Sequence, residues 1–177
     1  RTKEQLANKV GSQLETDSLA IISLLNDSVY LSQFELTPTT LLTLFIPNTY
    51  QFFWNTTASQ FLERMNQEYN RFWNQERKQK AENLNLSDKE VITLASIIEK
   101  ETSKNDEKPR IAGVYINRLN DNWYLQADPT LIYAIGDYSI KRVLNIHKDI
   151  DSPYNTYKYP GLPPGPICAP SISSIDA

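Results

Sequence analysis

The stretch "LSDKEVITLASIIEKET", residues 86–102, decides how this chain is read, because it joins the clearest helix start to a periodic apolar run. Ser87 and Glu90 stand at the spacing of a capping box, in which each side chain satisfies a backbone N–H of the other. Stepping about 100° per residue puts Val91, Leu94, Ala95 and Ile98 on one face. Glu99 falls about 80° from Val91 on that wheel, between Ala95 and Ile92, while Lys100 points to the opposite side. A carboxylate on the flank of an apolar face is disfavoured in its charged form, so the pattern predicts a raised pKa for Glu99. A raised carboxyl pKa is what a general acid working near neutral pH needs. The plainer alternative is that Glu99 sits at the edge of the stripe and reaches water or pairs with a lysine.

Upstream, Thr57 and Gln60 repeat the capping-box spacing ahead of a long helix with Phe61, Leu62, Met65, Tyr69, Phe72 and Trp73 on one side. Its distal part, "NQERKQKAE", is charged and reads as solvated. Residues 2–27 predict two short helices, one with Leu6, Val10 and Leu14 recurring every fourth position, the other behind an Asp17-Ser18 start. The mixed region 28–50 holds the strand-like "LLTLFIP". Downstream, "EKPRIAGVYINRL" predicts another helix, and "NDNWYLQADP" turns into a short one with Asp128 as N-cap and Pro129 at the first helical position. Residues 152–170, "SPYNTYKYPGLPPGPICAP", hold six of the ten prolines and predict a stiffened loop facing solvent rather than core. These elements predict an α+β fold: a helix-rich domain with a small mixed sheet, its strands around 28–50, 122–127 and beyond residue 177. The opening "RTKEQ" without Met and the close at "SSIDA" within a helical pattern mark the chain as a fragment of a larger protein.

Composition narrows the chemistry. The 177 residues are 40% hydrophobic and 22% charged, ordinary for a water-exposed globular chain, with a net charge of −3 and no basic stripe to bind nucleic acid. One cysteine, Cys168, rules out an internal disulfide and a multi-cysteine metal site; one histidine, His147, leaves no zinc cluster. Five scattered glycines form no phosphate loop. No metal or cofactor is therefore expected. The polar candidates are Gln126, which can both donate and accept, Asp128, and the rigidified Tyr154, Asn155, Thr156 and Tyr157, whose rings and amides suit sugars. On pattern alone Asp128 is more simply a helix cap, and turn chemistry explains Asn155 as well as sugar binding does.

Taken in order, "LASIIEKET", "RIAGVYINRL", "LQADPTLIYAIG" and "SPYNTYKYPGLPPGPICAPS" resemble the YceG-like endolytic murein transglycosylases, and "LFIPNTYQFFWNTTASQFLERM" is similar to that family's "PDTY" segment and following helix. The resemblance runs from about residue 41 to the end. It implies residues 41–177 as a C-terminally incomplete transglycosylase catalytic domain, with residues 1–40 a helical region following or closing a LysM-like subdomain. It also implies a bacterial plasma-membrane protein, held by a single N-terminal helix absent from this chain, with its catalytic domain on the extracytoplasmic side. Peptidoglycan glycan strands would be its substrate and cell-wall synthases its candidate partners.

Carried over by position, the resemblance makes Glu99, the first glutamate of "EKET", the catalytic residue. Gln126, Asp128 and Tyr154 to Tyr157 become cleft-lining substrate binders, and Asn117 and Arg118 of "INRL" structural residues. The implied reaction cleaves the bond between N-acetylmuramic acid and N-acetylglucosamine and leaves a 1,6-anhydro end, one carboxyl serving as acid and then base. Three rivals remain. A lysozyme-like hydrolase would use Asp128 or Glu101 as its second carboxylate. A non-catalytic glycan-binding or scaffold module of the cell-wall machinery would need no acid. A pyridoxal-phosphate lyase would need a lysine aldimine and a phosphate cup, and the sequence offers neither.

Overall fold

The computed structural model describes residues 2–177. In chain order it forms α1 (Lys3–Gly11), α2 (Ser18–Asn26), α3 (Ser28–Ser32), a 3-10 turn (Leu41–Leu44), α4 (Ala58–Phe72) and α5 (Gln75–Asn83). There follow α6 (Asp88–Glu101), α7 (Lys108–Asn120), α8 (Asp128–Ile135), a second 3-10 turn (Asn145–Asp149) and α9 (Ile172–Ile175). The capping box of α6 is formed as predicted: Ser87 N–H donates to Glu90 Oε2 at 2.8 Å and Glu90 N–H to Ser87 Oγ at 3.3 Å.

Helix α6 is central. Every residue from Ile92 to Ile98 is buried. Ile92 belongs to a core built from α1 to α4, with Ile21, Leu25, Leu31, Phe61, Leu62 and Met65. Leu94, Ile97 and Ile98 belong to a second core with Ala112, Tyr115, Leu125, Ala127 and Ile167. The hydroxyls of Thr93 and Ser96 are satisfied inside by the Lys89 and Thr93 carbonyls at 2.8 and 2.6 Å. A helix packed on both sides has no wet flank along its middle, so the amphipathic wheel of the sequence describes only its ends.

The small mixed sheet expected from the sequence is absent: no strand occurs among the described residues. "LLTLFIP" instead winds into the first 3-10 turn, started by Thr37 and Thr40, whose backbone N–H groups each donate to the other's hydroxyl at 3.0 and 3.2 Å. Leu41 to Leu44 are all buried there, and a short apolar run enclosed on every side gives no period by which to tell strand from helix. Residues 122–127 take no partner strand, because Asn122 and Gln126 adopt left-handed φ values of 56° and 53° that interrupt extension. The long helix expected from residue 58 breaks at Trp73, where the Asn74 side chain accepts from Arg77 N–H at 3.0 Å and starts α5 anew. No helix among the described residues is long and apolar enough to cross a membrane.

The proline-rich segment also departs from expectation. Pro163, Gly165, Pro166, Ile167, Cys168 and Pro170 are buried, and Ile167 N–H donates to Ser96 Oγ on α6 at 3.0 Å. Prolines carry no N–H to satisfy, which lets such a chain lie against a helix. Burial pushes the Cys168 thiol up and leaves it a small apolar side chain. A Cβ on Gly165 would come within 2.4 Å of the Thr39 carbonyl oxygen. Gly165→Ala is accordingly expected to cost about 1–3 kcal/mol, read as a lower urea midpoint, and an unchanged midpoint would refute this close approach.

Candidate active site

Glu99 lies at the junction of α6, α7 and the C-terminal segment. Lys108, at the start of α7 and only 3% exposed, points its ammonium at Glu99 Oε2 at 3.3 Å, at Ser171 Oγ at 3.1 Å and at Ser173 Oγ at 2.9 Å. Oε2 also accepts the Ser171 hydroxyl at 2.5 Å, the Ser174 hydroxyl at 2.6 Å and the Ser171 N–H at 3.2 Å. Burial alone pushes the Glu99 carboxyl up. The hydrogen bonds from Ser171, Ser174, the Ser171 backbone and Lys108 more than offset it and hold the pKa at about 2. The raised value predicted from the helix wheel is thereby reversed: these donors favour the Glu99 carboxylate.

Glu101, the last residue of α6, presents a different setting. Its carboxylate is exposed and accepts a hydrogen bond on Oε1 from the Tyr115 hydroxyl of α7 at 2.7 Å. Burial and this bond both push the Tyr115 hydroxyl well above its ordinary range, so it stays a donor. The Arg118 guanidinium lies 5.9 Å from the Tyr115 ring centre, and it donates to the Leu125 carbonyl. Tyr157 donates to Asp128 Oδ1 at 2.5 Å. Burial first, then that bond, with the nearby Asp128 and Glu101 charges opposed by Arg118, pushes Tyr157 up to about 12. The cluster thus brings Glu101, Tyr115, Arg118, Asp128 and Tyr157 into one electrostatic neighbourhood.

Of the residues singled out in the sequence, Gln126 is exposed beside this cluster, and its N–H donates to the Thr156 carbonyl at 3.0 Å. Asp128 does not cap α8; Ala127 occupies the cap position, and the Asp128 carboxylate is free to meet Tyr157. Asn155 is 0% exposed, with its amide donating to the Lys148 and Ile150 carbonyls at 2.8 Å each and its oxygen accepting from Tyr157 N–H at 3.0 Å. Thr156, also buried, receives Ala127 N–H at 3.0 Å and meets Thr130 Oγ1 at 2.9 Å. Neither side chain lines an open surface as expected: Thr156 clamps "LQADPT" against "YNTY", and Asn155 ties "YNTY" to the second 3-10 turn. Tyr154 is half-buried, its ring centre 4.6 Å from that of Tyr133. A hollow of about 1030 Å³ lies elsewhere, between Gln13, Tyr50, Phe53 and Arg64, and holds none of these groups.

Sequence reasoning treated Glu101 only as a spare carboxylate and gave Tyr115 no role. The missed signal is the row Leu94, Ile97, Ile98, Glu101 at helical spacing, which continues the face of α6 that meets α7.

A helical chain whose four ordered motifs are tied to one another by Tyr115, Arg118, Tyr157 and Ser171 has known counterparts. The model of the YceG-like family matches residues 1–177, and the chain belongs to that family. Two curated relatives named endolytic murein transglycosylase are similar to it. The protein from Streptococcus pneumoniae (strain D39) is 42% identical over 97 residues, which cover 52% of this chain and 18% of that protein. The protein from Bacillus subtilis (strain 168) is 47% identical over 87 residues, covering 49% of this chain and 24% of its own. The aligned part is thus a quarter or less of each relative's length. The crystal structure of a yceG-like protein from Listeria monocytogenes superposes with a TM-score of 0.80 at 28% identity, over 99% of this chain and 62% of that one.

Proposed function

We propose that this chain carries the catalytic centre of an endolytic peptidoglycan lytic transglycosylase, with Glu101 as general acid and then general base. The observation that supports it is the hydrogen bond from Tyr115 to the exposed Glu101 carboxyl, with Arg118 of "INRL" over the Tyr115 ring and the Tyr157–Asp128 pair of "YNTY" and "LQADPT" near enough to feel the Glu101 charge. The activity for which the relatives are named supports the substrate class. Glu99, expected to be the acid, is a positioning residue here: its bonds to Lys108 and Ser171 fix the last turn of α6, from which Glu101 projects.

In the reaction, a glycan strand lies over Glu101 and covers it. Glu101 donates its proton to the glycosidic oxygen, and the bond from that oxygen to the muramyl anomeric carbon breaks. The carboxylate then takes the proton of the muramyl C6 hydroxyl, whose oxygen bonds to the anomeric carbon and closes a 1,6-anhydro ring without water. Tyr115 donates to Oε1 throughout and steadies the carboxylate between its two tasks. The unpaired oxygen of Asp128 is an acceptor for sugar hydroxyls.

Within the same proposal, residues 41–177 belong to a catalytic domain that continues beyond them and residues 1–40 follow or close a LysM-like subdomain, in a protein held at the extracytoplasmic face of the membrane by a helix outside this chain. Mass spectrometry of digested glycan strands tests the reaction. New anhydro ends are expected; new reducing ends would instead make the protein a hydrolase using Asp128 as its second carboxylate, and no new ends would leave a glycan-binding module.

A further inference from the structure

The segment Asn122–Gln126 is an aromatic shelf built before any ligand arrives. It leaves the end of α7 with Asn122 N–H donating to the Leu119 carbonyl at 3.1 Å and Trp123 N–H to the Arg118 carbonyl at 2.7 Å. Arg118 returns to hold the Leu125 carbonyl, and Gln126 N–H fastens the far end to Thr156. Leu125 is fully buried and roots the middle. Left-handed backbone at Asn122 and Gln126, with neither a glycine, is conformational strain held by these ties, and such strain gathers at binding sites. Between the two strained residues the shelf presents Trp123 at 66% exposure and Tyr124 at 44%.

An indole and a phenol at consecutive positions, both left in water on a fixed backbone, favour a flat, partly apolar ligand, because the ordering cost has already been met by the fold. The groups along the shelf are Asn120, Asn122 and Gln126, whose amides donate to and accept from hydroxyls and amides, and Asp121, which accepts. Lysine is absent from it, and Arg118 is turned inward to Leu125, so an anionic lipid surface finds no matching charge. Arg118 also joins the shelf to the Tyr115–Glu101 pair.

We propose that Trp123 and Tyr124 form a saccharide subsite that stacks on a pyranose ring of the glycan strand next to the bond held at Glu101. This rests on the transglycosylase reading for the identity of the sugar, but the shelf is testable without cleavage. A tetrasaccharide of alternating N-acetylglucosamine and N-acetylmuramic acid is titrated into the Glu101→Gln protein while the tryptophan indole N–H resonances are followed. The Trp123 resonance is expected to shift with saturation while that of buried Trp73 stays still. Trp123→Ala with Tyr124→Ala is expected to weaken binding about tenfold or more, and Trp123→Phe to retain most of it. In the otherwise unaltered protein the double variant should raise KM with kcat held within about twofold.

Equal affinity in the double variant, no saccharide binding, or a loss confined to kcat would overturn the subsite. A Trp123 shift that follows protein concentration without sugar would also overturn it, marking a contact between copies. If the tetrasaccharide binds in this variant-sensitive way but the unaltered protein leaves glycan uncut, the subsite stands and the transglycosylase reading falls.

Discussion

Glu101→Gln is expected to lower glycan cleavage by about 10²–10⁴-fold in kcat/KM, the usual contribution of one general acid–base group. The substitution keeps the shape of the side chain, and its amide oxygen still accepts from Tyr115, so only the transferable proton is lost. Because Glu101 is exposed at the last position of α6, the thermal midpoint should stay within a few degrees of the parent. Measured side by side, a collapse in rate with an unchanged midpoint separates chemistry from folding. Full activity in a folded Glu101→Gln protein would remove Glu101 from the reaction.

Glu99→Gln should act in the opposite way, on stability. It leaves the buried Lys108 ammonium without its counter-charge, and breaking such a pair from one side costs about 3–5 kcal/mol. The pH dependence has a definite sign. The folded pKa of about 2 lies below the ordinary 4.5, so Glu99 binds its proton less readily folded than unfolded. Its contribution, roughly 3 kcal/mol, is full above the unfolded pKa and drains away as pH falls from about 4.5 towards 2. Urea midpoints across that window should fall steeply in the parent protein and less steeply in Glu99→Gln. Parallel curves would show that the cluster of Ser171, Ser174 and Lys108 does not hold the charge.

The helices were legible because their start signals are local. Ser87 with Glu90, Thr57 with Gln60 and Asp17 each cap the helix the sequence assigned them. The sheet was misread where local signals are ambiguous: "LLTLFIP" is apolar on every side, and the bends at Asn122 and Gln126 arise at residue types that also occur in extended chain. At the candidate site, the motifs were identifiable, but the different surroundings of the two glutamates were not. Glu99 is governed by Ser171 and Ser174, more than seventy positions away, and by a lysine that is buried only once α7 docks. The helix wheel saw the aliphatic neighbours of Glu99 and none of its hydrogen-bond donors. Asn155 was misassigned for the related reason that a polar side chain facing inward looks, in sequence, like one facing a ligand.

The most direct measurement counts anhydro ends released from purified glycan strands by Glu99→Gln and Glu101→Gln, each corrected to the same folded fraction. Ends are expected from the folded Glu99→Gln protein and essentially none from Glu101→Gln. Ends from Glu101→Gln at the parental rate, with none from folded Glu99→Gln, would contradict the assignment and return the proton transfer to Glu99.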